Sequence, residues 1–199
     1  MGGIFALTGI FSVLAIFVVV YVVPAAPSLP PAQVSIREIL AHGELMRLNF
    51  GVFALHLTQM AMFVVIPSAL IRFAQLPLAE HWKIYLPVVI ASFVLMLPPI
   101  FIGEKRGKSK QVFVAAIALL LLVQIGMWLA LSQTQLHAAW LVGLLLAFFV
   151  AFNILEASQP SLVSRIAPPG SKGTALGVYN TLQALGLFCG GALGGWLTQ

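Results

Sequence analysis

Long apolar runs alternate with short polar segments along almost the whole chain of 199 residues. Each run reaches the length of about 20 residues that a helix needs to cross a hydrocarbon core about 30 Å thick. A membrane β-strand would be about 10 residues long and would alternate polar with apolar positions. The pattern therefore predicts an all-α integral membrane protein with six transmembrane helices. They are expected at Ile4–Val23, Leu45–Ile71, Ile84–Gly103, Val112–Leu131, Ala138–Ile166 and Thr174–Leu197.

The composition agrees with this prediction. Hydrophobic residues make up 61% of the chain and charged residues 8%, whereas an ordinary soluble domain carries about 25% charged residues. The net charge of +5 comes from basic residues in the loops between the runs, so it does not indicate binding to nucleic acid. The single cysteine, Cys189, excludes an intramolecular disulfide and a multi-cysteine metal site. We expect no cofactor and no metal.

Basic residues are distributed unequally between the two sides of the predicted membrane. All Lys and Arg residues except Arg72 and Lys83 flank or occupy the loops after the first, third and fifth runs. Because cytoplasmic loops are enriched in Lys and Arg, we expect Met1 and Gln199 to lie on the opposite side. An outside N-terminus without a leader favours a piece of a longer protein. The predicted cytoplasmic loops are Pro24–Glu44, Glu104–Gln111 and Ala167–Gly173.

The pattern divides the chain into three parts: a helix at 1–23, a cytoplasmic connector at 24–44, and a bundle of five transmembrane helices at 45–199. Four prolines between Pro24 and Pro31 exclude a continuous helix there. Ser35 followed three residues later by Glu38 has the spacing of a helix capping box. We therefore predict a short amphipathic surface helix near Ser35–His42, with an irregular polar linker as the alternative.

The sixth run carries a ladder of glycines: Gly186, Gly190, Gly191, Gly194 and Gly195. Glycines four residues apart lie on one helix face and allow another helix backbone to come close, which is how many helices associate in lipid. We interpret the ladder as a packing surface. Direct contact with a substrate is the alternative.

Two ionisable residues lie near the predicted membrane midplane. Glu156 and His56 are each nine residues from a basic residue at the inner membrane edge, Arg165 and Arg47 respectively. At 1.5 Å per residue, both lie about 14 Å from that edge. Ionisable groups at such depth are costly and usually functional, so both are candidates for proton coupling. The alternatives are a glutamic acid that only ties two helices together and a neutral imidazole that bridges helices.

Other polar residues recur near these two at helical spacing. Residues three or four apart share a helix face, which groups His56 with Gln59 and Glu156 with its neighbours three residues away on either side. The sixth run adds polar residues at similar depth. We expect these side chains to line a substrate cavity that is otherwise aromatic and aliphatic. The candidates are Asn49, Gln59, Asn153, Gln159, Tyr179, Asn180 and Gln183.

The inner loop Gly103–Lys110 resembles the cytoplasmic loop signature of the major facilitator superfamily. Glu104, Lys105, Gly107 and Lys108 fall on signature positions, whereas Ile100 replaces its first glycine. The resemblance is to the copy between helices eight and nine. It implies that Glu104 and the following basic residues form a charge cluster that holds helices together in one access state; a solvated loop is the alternative.

The glycine ladder resembles the counterpart, in helix eleven, of a glycine-proline motif of drug:proton antiporters, with Gly191 at the proline position. Three further stretches are similar to the YajR-like branch of bacterial inner-membrane transporters. The resemblance implies that the chain covers helices six to eleven and that the N-terminal half and helix twelve are missing. The three stretches are Leu48–Gly51, Asn153–Ala157 and Lys172–Gly177.

We therefore expect a multi-pass transporter of the bacterial inner (plasma) membrane that exports a small hydrophobic solute or drug in exchange for protons. Its partners would be the lipid bilayer, the substrate, protons and the missing N-terminal half. The chain contains no glycine-rich loop ending in Gly-Lys-Ser/Thr, which favours an ion gradient over ATP as the energy source. An intramembrane enzyme that uses His56 and Glu156, and a non-transporting membrane subunit, are the alternatives.

Overall fold

The structure, a computed structural model, describes residues 2–24 and 35–197, and the regular elements in these ranges are all helical. The predicted all-α fold is confirmed. A single 3-10 turn, Leu78–Glu80, precedes the fourth helix. The helices are α1 Gly2–Tyr21, α2 Ile36–Ala41, α3 Gly43–Ala74, α4 Trp82–Lys105, α5 Ser109–Leu131, α6 Ala138–Ile166 and α7 Lys172–Leu197.

Within residues 2–24 and 35–197, five segments are long and apolar enough to cross a membrane. They are α1, α3, α5, α6 and the segment Leu78–Lys105, which contains α4. The sixth predicted crossing, α7, is a helix of 26 residues but is not one of these five. Its glycines and its polar residues, such as Asn180 and Gln183, make it less apolar than the others. We interpret the close packing of α7 against α3, rather than apolar content, as what holds this helix in the bundle.

The first helix, α1, belongs to a compact unit separate from the rest of the chain. Its Thr8 and Ser12 hydroxyls donate to carbonyls of the same helix, Thr8 to Ile4 at 2.9 Å and Ser12 to Thr8 at 2.8 Å. A polar group in lipid needs such an internal partner because no water is available there. The sequence of α1 therefore suits a helix that faces hydrocarbon.

The short helix α2 lies within the region where the sequence predicts a surface helix. The Ser35 hydroxyl accepts a hydrogen bond from the Arg37 amide at 3.2 Å and caps its first turn. Ile39 is buried, whereas Ile36 and Leu40 are exposed, so one face of α2 packs on the bundle. The proline-rich part of the predicted connector, residues 25–34, lies outside the described residues.

Helices α4, α5 and α6 pack through large apolar side chains, which we name the apolar seam. Phe148 is fully buried and its ring stacks against Phe152 with centroids 6.0 Å apart. Met127 of α5 is buried in the same cluster. Such interdigitated side chains hold helices together in lipid through van der Waals contact. The buried residues that define this seam are Val88, Val123, Met127, Leu141, Leu145 and Phe148.

Helices α3 and α7 meet differently, through backbone contact along what we name the glycine seam: Gly186, Gly190 and Gly194. A Cβ atom added at Gly186 would overlap the carbonyl oxygen of Phe53, and one at Gly190 would overlap that of Leu57. Only glycine allows this approach, because the opposing atoms belong to backbone and cannot move aside.

The glycines of the ladder divide between two faces of α7. A Cβ at Gly194 would lie 3.2 Å from the Cα of Ala61, whereas one at Gly191 would meet only the Met60 side chain at 3.6 Å. A Cβ at Gly195 would meet nothing within 4 Å. Three of the five glycines thus face the α3 backbone, and the other two do not.

Five prolines lie inside helices: Pro67 in α3, Pro87, Pro98 and Pro99 in α4, and Pro160 in α6. Each lacks the N–H that would donate to the carbonyl four residues earlier. For Pro160 that carbonyl belongs to Glu156, so α6 lacks one backbone hydrogen bond at this residue.

Candidate functional site

One side chain from each of α3, α6 and α7 meets inside the bundle: His56, Glu156 and Gln183, which we name the triad. The Nε2 atom of His56 lies 3.4 Å from Oε2 of Glu156. The Gln183 amide nitrogen lies 2.8 Å from the same imidazole nitrogen and 3.4 Å from Oε1 of Glu156. Three residues far apart in sequence therefore form one polar cluster.

The hydrogen bonds of His56 fix its tautomer. Its Nδ1 atom lies 3.0 Å from the carbonyl oxygen of Val52, one turn earlier in α3. A carbonyl accepts only, so Nδ1 carries a proton and donates it. In the neutral ring, Nε2 is then an acceptor, and the Gln183 amide donates to it.

Glu156 completes only part of its hydrogen bonding within the described residues. Oε1 accepts from Gln183 at a distance near the upper limit for a hydrogen bond. Oε2 is buried and has no hydrogen-bond partner there, although it lies beside Nε2 of the neutral imidazole. Two lone pairs face each other across this 3.4 Å gap. The pair therefore has a place for one additional proton.

The surroundings of the triad are mostly apolar. The Phe152 ring stands edge-on to the His56 ring, with centroids 5.6 Å apart. The His56 side chain is 4% exposed and that of Glu156 is 36% exposed. Electrostatic interactions are stronger in such an environment than in water. The imidazole is thus shielded, while the Glu156 side chain is partly exposed although its Oε2 atom is buried.

A second polar contact joins α6 and α7 one turn nearer the predicted cytoplasmic end. The Tyr179 hydroxyl donates to the side-chain carbonyl of Gln159 at 3.3 Å, and both residues are buried. The Gln159 amide nitrogen would lie 3.2 Å from a Cβ at Gly51. A side chain larger than hydrogen at residue 51 would therefore press on this amide.

Asn153, which the sequence places on the face of Glu156, turns instead toward α4. Its amide donates to the Ser92 hydroxyl at 2.9 Å, and Ser92 donates to the Val89 carbonyl at 2.7 Å. Ser92 is fully buried and was missed in the sequence. Its only signal there is a lone hydroxyl in an apolar run.

The remaining candidate cavity residues make few contacts. Asn49 is buried, with its amide nitrogen 3.8 Å from the Met46 sulfur and its carbonyl oxygen unpartnered among the described residues. Gln59 is half-buried and Asn180 is exposed. The structure thus brings Gln183 into contact with the ionisable pair and places Gln159 and Tyr179 one turn away. In the described residues, no hydrogen bond joins Asn49, Gln59 or Asn180 to the pair.

At the α4–α5 connection, Gly107 has a φ of 66°, a left-handed conformation that glycine adopts without strain. Glu104 lines a cavity of about 260 Å³ together with Lys110 and Arg165, between the ends of α4, α5 and α6. No salt bridge joins Glu104 to Lys105, Lys108 or another basic residue in the described ranges. The charge cluster remains a prediction, and sequence reasoning did not include Arg165 in it.

No group of three or more His, Cys, Asp or Glu residues in residues 2–24 and 35–197 is arranged to hold a metal ion. The triad itself consists of an imidazole, a carboxyl group and an amide, of which the first two can each bind and release a proton.

Residues 2–191 match the family described as Major Facilitator Superfamily. The chain belongs to this superfamily. It is accordingly an integral membrane protein, and membership among transporters agrees with the expectation that it is not an enzyme. The resemblance to the superfamily predicted from the loop signature is confirmed.

Curated relatives narrow the placement within the superfamily. The chain is 46% identical over 163 residues to the inner membrane transport protein YajR of Escherichia coli K12, covering 82% of this chain and 35% of that protein. This match confirms the predicted YajR-like branch. It is 25% identical over 201 residues to an uncharacterized transporter of Buchnera aphidicola subsp. Baizongia pistaciae, covering 98% of this chain and 50% of the relative.

A third relative is the multidrug resistance protein MdtH of Aeromonas salmonicida, which is 26% identical over 164 residues, or 82% of this chain and 39% of that protein. The chain thus spans half or less of the length of these superfamily relatives.

Proposed function

We propose that this chain forms part of a secondary transporter of the bacterial inner membrane that exports a small hydrophobic solute or drug in exchange for protons. Superfamily membership supports transport. The inner-membrane location is supported by the name of the YajR relative, and drug export by the name of the MdtH relative. The proton exchange is supported by the triad.

The observation that carries the proposal is the unpartnered Oε2 of Glu156, 3.4 Å from Nε2 of His56. With neutral imidazole and ionised carboxylate, the pair carries one negative charge in an apolar environment, which is costly. Binding one proton between the two atoms neutralises that charge and replaces a contact between two acceptors by a hydrogen bond. Proton binding and release at this place would therefore change the stability of the surrounding helix packing.

In this proposal α1 is helix six, residues 24–44 are the connector between halves, and α3 to α7 are helices seven to eleven. The loops rich in Lys and Arg face the cytoplasm. The substrate cavity lies between α3, α6 and α7 and an N-terminal half, near the bilayer midplane, where such folds bind their substrates. Transport requires both halves, because one bundle rocks against the other around the site.

The test is Glu156→Gln in the complete transporter that contains these helices, reconstituted in proteoliposomes. Glutamine keeps the size and hydrogen bonding of the side chain but cannot exchange a proton. We expect ethidium movement driven by a pH gradient to fall to its level without a gradient, with no proton counterflow reported by an entrapped pH-sensitive dye.

Glu80→Gln is the matched control, because Glu80 is an exposed carboxylate paired with Lys83 at 2.8 Å. It should leave the pH-driven movement of ethidium unchanged. If Glu156→Gln transports ethidium as well as the parent protein over a range of pH, Glu156 only ties helices together and the proton-coupling role is wrong.

A further inference from the structure

We propose that Gln183 senses whether the His56–Glu156 pair carries a proton. Its amide bonds to both His56 of α3 and Glu156 of α6 only when no proton lies between them. Gln183 is a positioning residue in this inference, which rests on the proposed proton coupling.

In the arrangement described, Gln183 uses both amide hydrogens. One points to Nε2 of His56 at 2.8 Å and the other to Oε1 of Glu156 at 3.4 Å. Nε2 is an acceptor only as long as the imidazole is neutral and no other donor uses its lone pair, whereas Oε1 accepts in either state of the carboxyl group. The amide therefore fits the proton-free pair and stabilises it.

A proton that enters the pair removes this fit in either of its positions. On Nε2, it would face an N–H of Gln183 across 2.8 Å, and two donors cannot bond to each other. On Oε2, it would donate to Nε2, whose single lone pair then has no place for the Gln183 hydrogen. In both positions Gln183 loses its bond to His56, while Oε1 of Glu156 can still accept from its other N–H.

The proton lies between Nε2 and Oε2 and forms one direct hydrogen bond between α3 and α6. A proton on the pair thus replaces the bond from α7 to His56 by a bond from His56 to Glu156.

The groups that face the pair from the packed helices add no second charge in the described part of the chain. Tyr179 on α7 is the further titratable group that interacts with Glu156, and its hydroxyl is bonded to Gln159. From α4, the polar group that contacts α6 is the neutral Ser92. Proton binding at the pair is therefore the event to which Gln183 would respond.

The consequence for helix packing depends on a difference between two contacts of α7. Its contact with α3 is fixed by backbone approach at Gly186, three residues after Gln183. Its side-chain hydrogen bonds to α6 within residues 35–197 are Gln183 to Glu156 and Tyr179 to Gln159. Proton binding breaks the bond from Gln183 to His56 and adds one between His56 and Glu156, so it moves a side-chain link from the α3–α7 contact to the α3–α6 contact while the backbone approach keeps α3 and α7 together.

The experiment measures protonation of His56 directly, by magic-angle-spinning NMR of ¹⁵N-labelled imidazoles in the complete transporter in lipid, with His56→Asn to assign the signal. Gln183→Met keeps an unbranched side chain of similar length and removes both donors. Because the lost bond to Nε2 forms only with the proton-free pair, the pH of half-protonation should rise by about one unit.

Gln124→Met is the matched control. Gln124 of α5 also has an amide nitrogen that is buried, and this nitrogen has no hydrogen-bond partner in the described ranges. Its replacement should leave the His56 titration unchanged. Gln183→Asn, whose amide is one methylene too short to reach both acceptors, should shift the titration in the same direction as Gln183→Met and serves if the Met variant does not fold.

An unchanged or lowered pH of half-protonation in both Gln183 variants would overturn the inference, since Gln183 would then be a packing residue. The NMR readout does not require transport. The other combination is a raised pH of half-protonation in the Gln183 variants together with ethidium transport by Glu156→Gln that still follows the pH gradient. This result would support the hydrogen-bond exchange at Gln183 and reject the proposed function. The two failures are therefore distinguishable.

Discussion

The glycine seam and the apolar seam solve the same problem in opposite ways. Along the glycine seam, Gly186 and Gly190 place α7 directly on the carbonyls of α3. Along the apolar seam, Phe148 and Leu145 of α6 and Met127 of α5 fill the space between helices with buried side chains. In lipid both arrangements gain van der Waals contact, because hydrocarbon supplies no hydrophobic drive between helices.

The difference shows why the polar chemistry lies where it does. At Gly186, α7 comes close to the backbone of Phe53 in α3. Gln183 is three residues from Gly186 and His56 is three residues from Phe53, and their side chains therefore come within hydrogen-bond distance. In the apolar seam, the side chains themselves occupy the volume between the helices, and the polar contact there is the Asn153–Ser92 bond. The glycine seam thus combines tight contact with an assembled site, and the apolar seam acts as its scaffold.

The largest effect is expected from Gly190→Leu. The added side chain meets the Leu57 carbonyl, which cannot move without separating α3 from α7, so the triad should come apart. We expect loss of the folded protein in detergent, measured by size-exclusion chromatography and thermal unfolding. Gly177→Leu on the same helix is the control, because a Cβ there meets nothing within 4 Å. Equal stability of both variants would contradict the backbone-contact description of the seam.

A smaller effect is expected from Phe148→Ala in the apolar seam. Removing a fully buried ring leaves a cavity and should lower the free energy of unfolding by about 3 kcal/mol, measured by unfolding in mixed micelles. The proposed proton uptake by the triad should persist, since no hydrogen bond or ring contact in the described residues joins Phe148 directly to His56, Glu156 or Gln183. Phe188→Ala, at a ring that is 73% exposed, is the control and should change stability little. A loss of proton uptake in Phe148→Ala would show that the two seams are not separable.

The smallest effect is expected from the Ser92–Asn153 hydrogen bond. A double-mutant cycle with Ser92→Ala and Asn153→Ala should give a coupling free energy of about 0.6 kcal/mol, because interhelical hydrogen bonds in membranes are weak on average. The measurement is the free energy of unfolding of the four proteins. A coupling several times larger would mean that the apolar seam depends on this polar contact as much as on its packing.

The sequence predicted the helices well because apolar length is a local property. The fifth run, Ala138–Ile166, has the bounds of α6, and α3 extends the second run by a few residues at each end. Prolines did not end the helices, since neighbouring helices in a bundle can compensate for a missing hydrogen bond. Length alone did not predict the lower apolar content of α7, a helix that contains several glycines in contact with the α3 backbone.

The partners within the site were less predictable. Residues three apart were assigned to one helix face, but at 3.6 residues per turn each such step rotates the side chain by about 60°. Asn153 and Gln159 therefore point about 120° apart on either side of Glu156, one to Ser92 and the other to Tyr179. The meeting of Gln183 with His56 depends on the register between α3 and α7, which no spacing within one helix encodes.

The missing backbone hydrogen bond at Pro160 gives α6 a mechanical property. The carbonyl that lacks its donor belongs to Glu156, the residue that carries the carboxylate of the triad. Bending of α6 at this turn therefore has one fewer bond to oppose it than elsewhere in the helix. The turn of α6 that bends most easily is therefore also the turn that carries the carboxylate. A force on this carboxylate from His56 or Gln183 acts where bending one half of α6 against the other requires the least work.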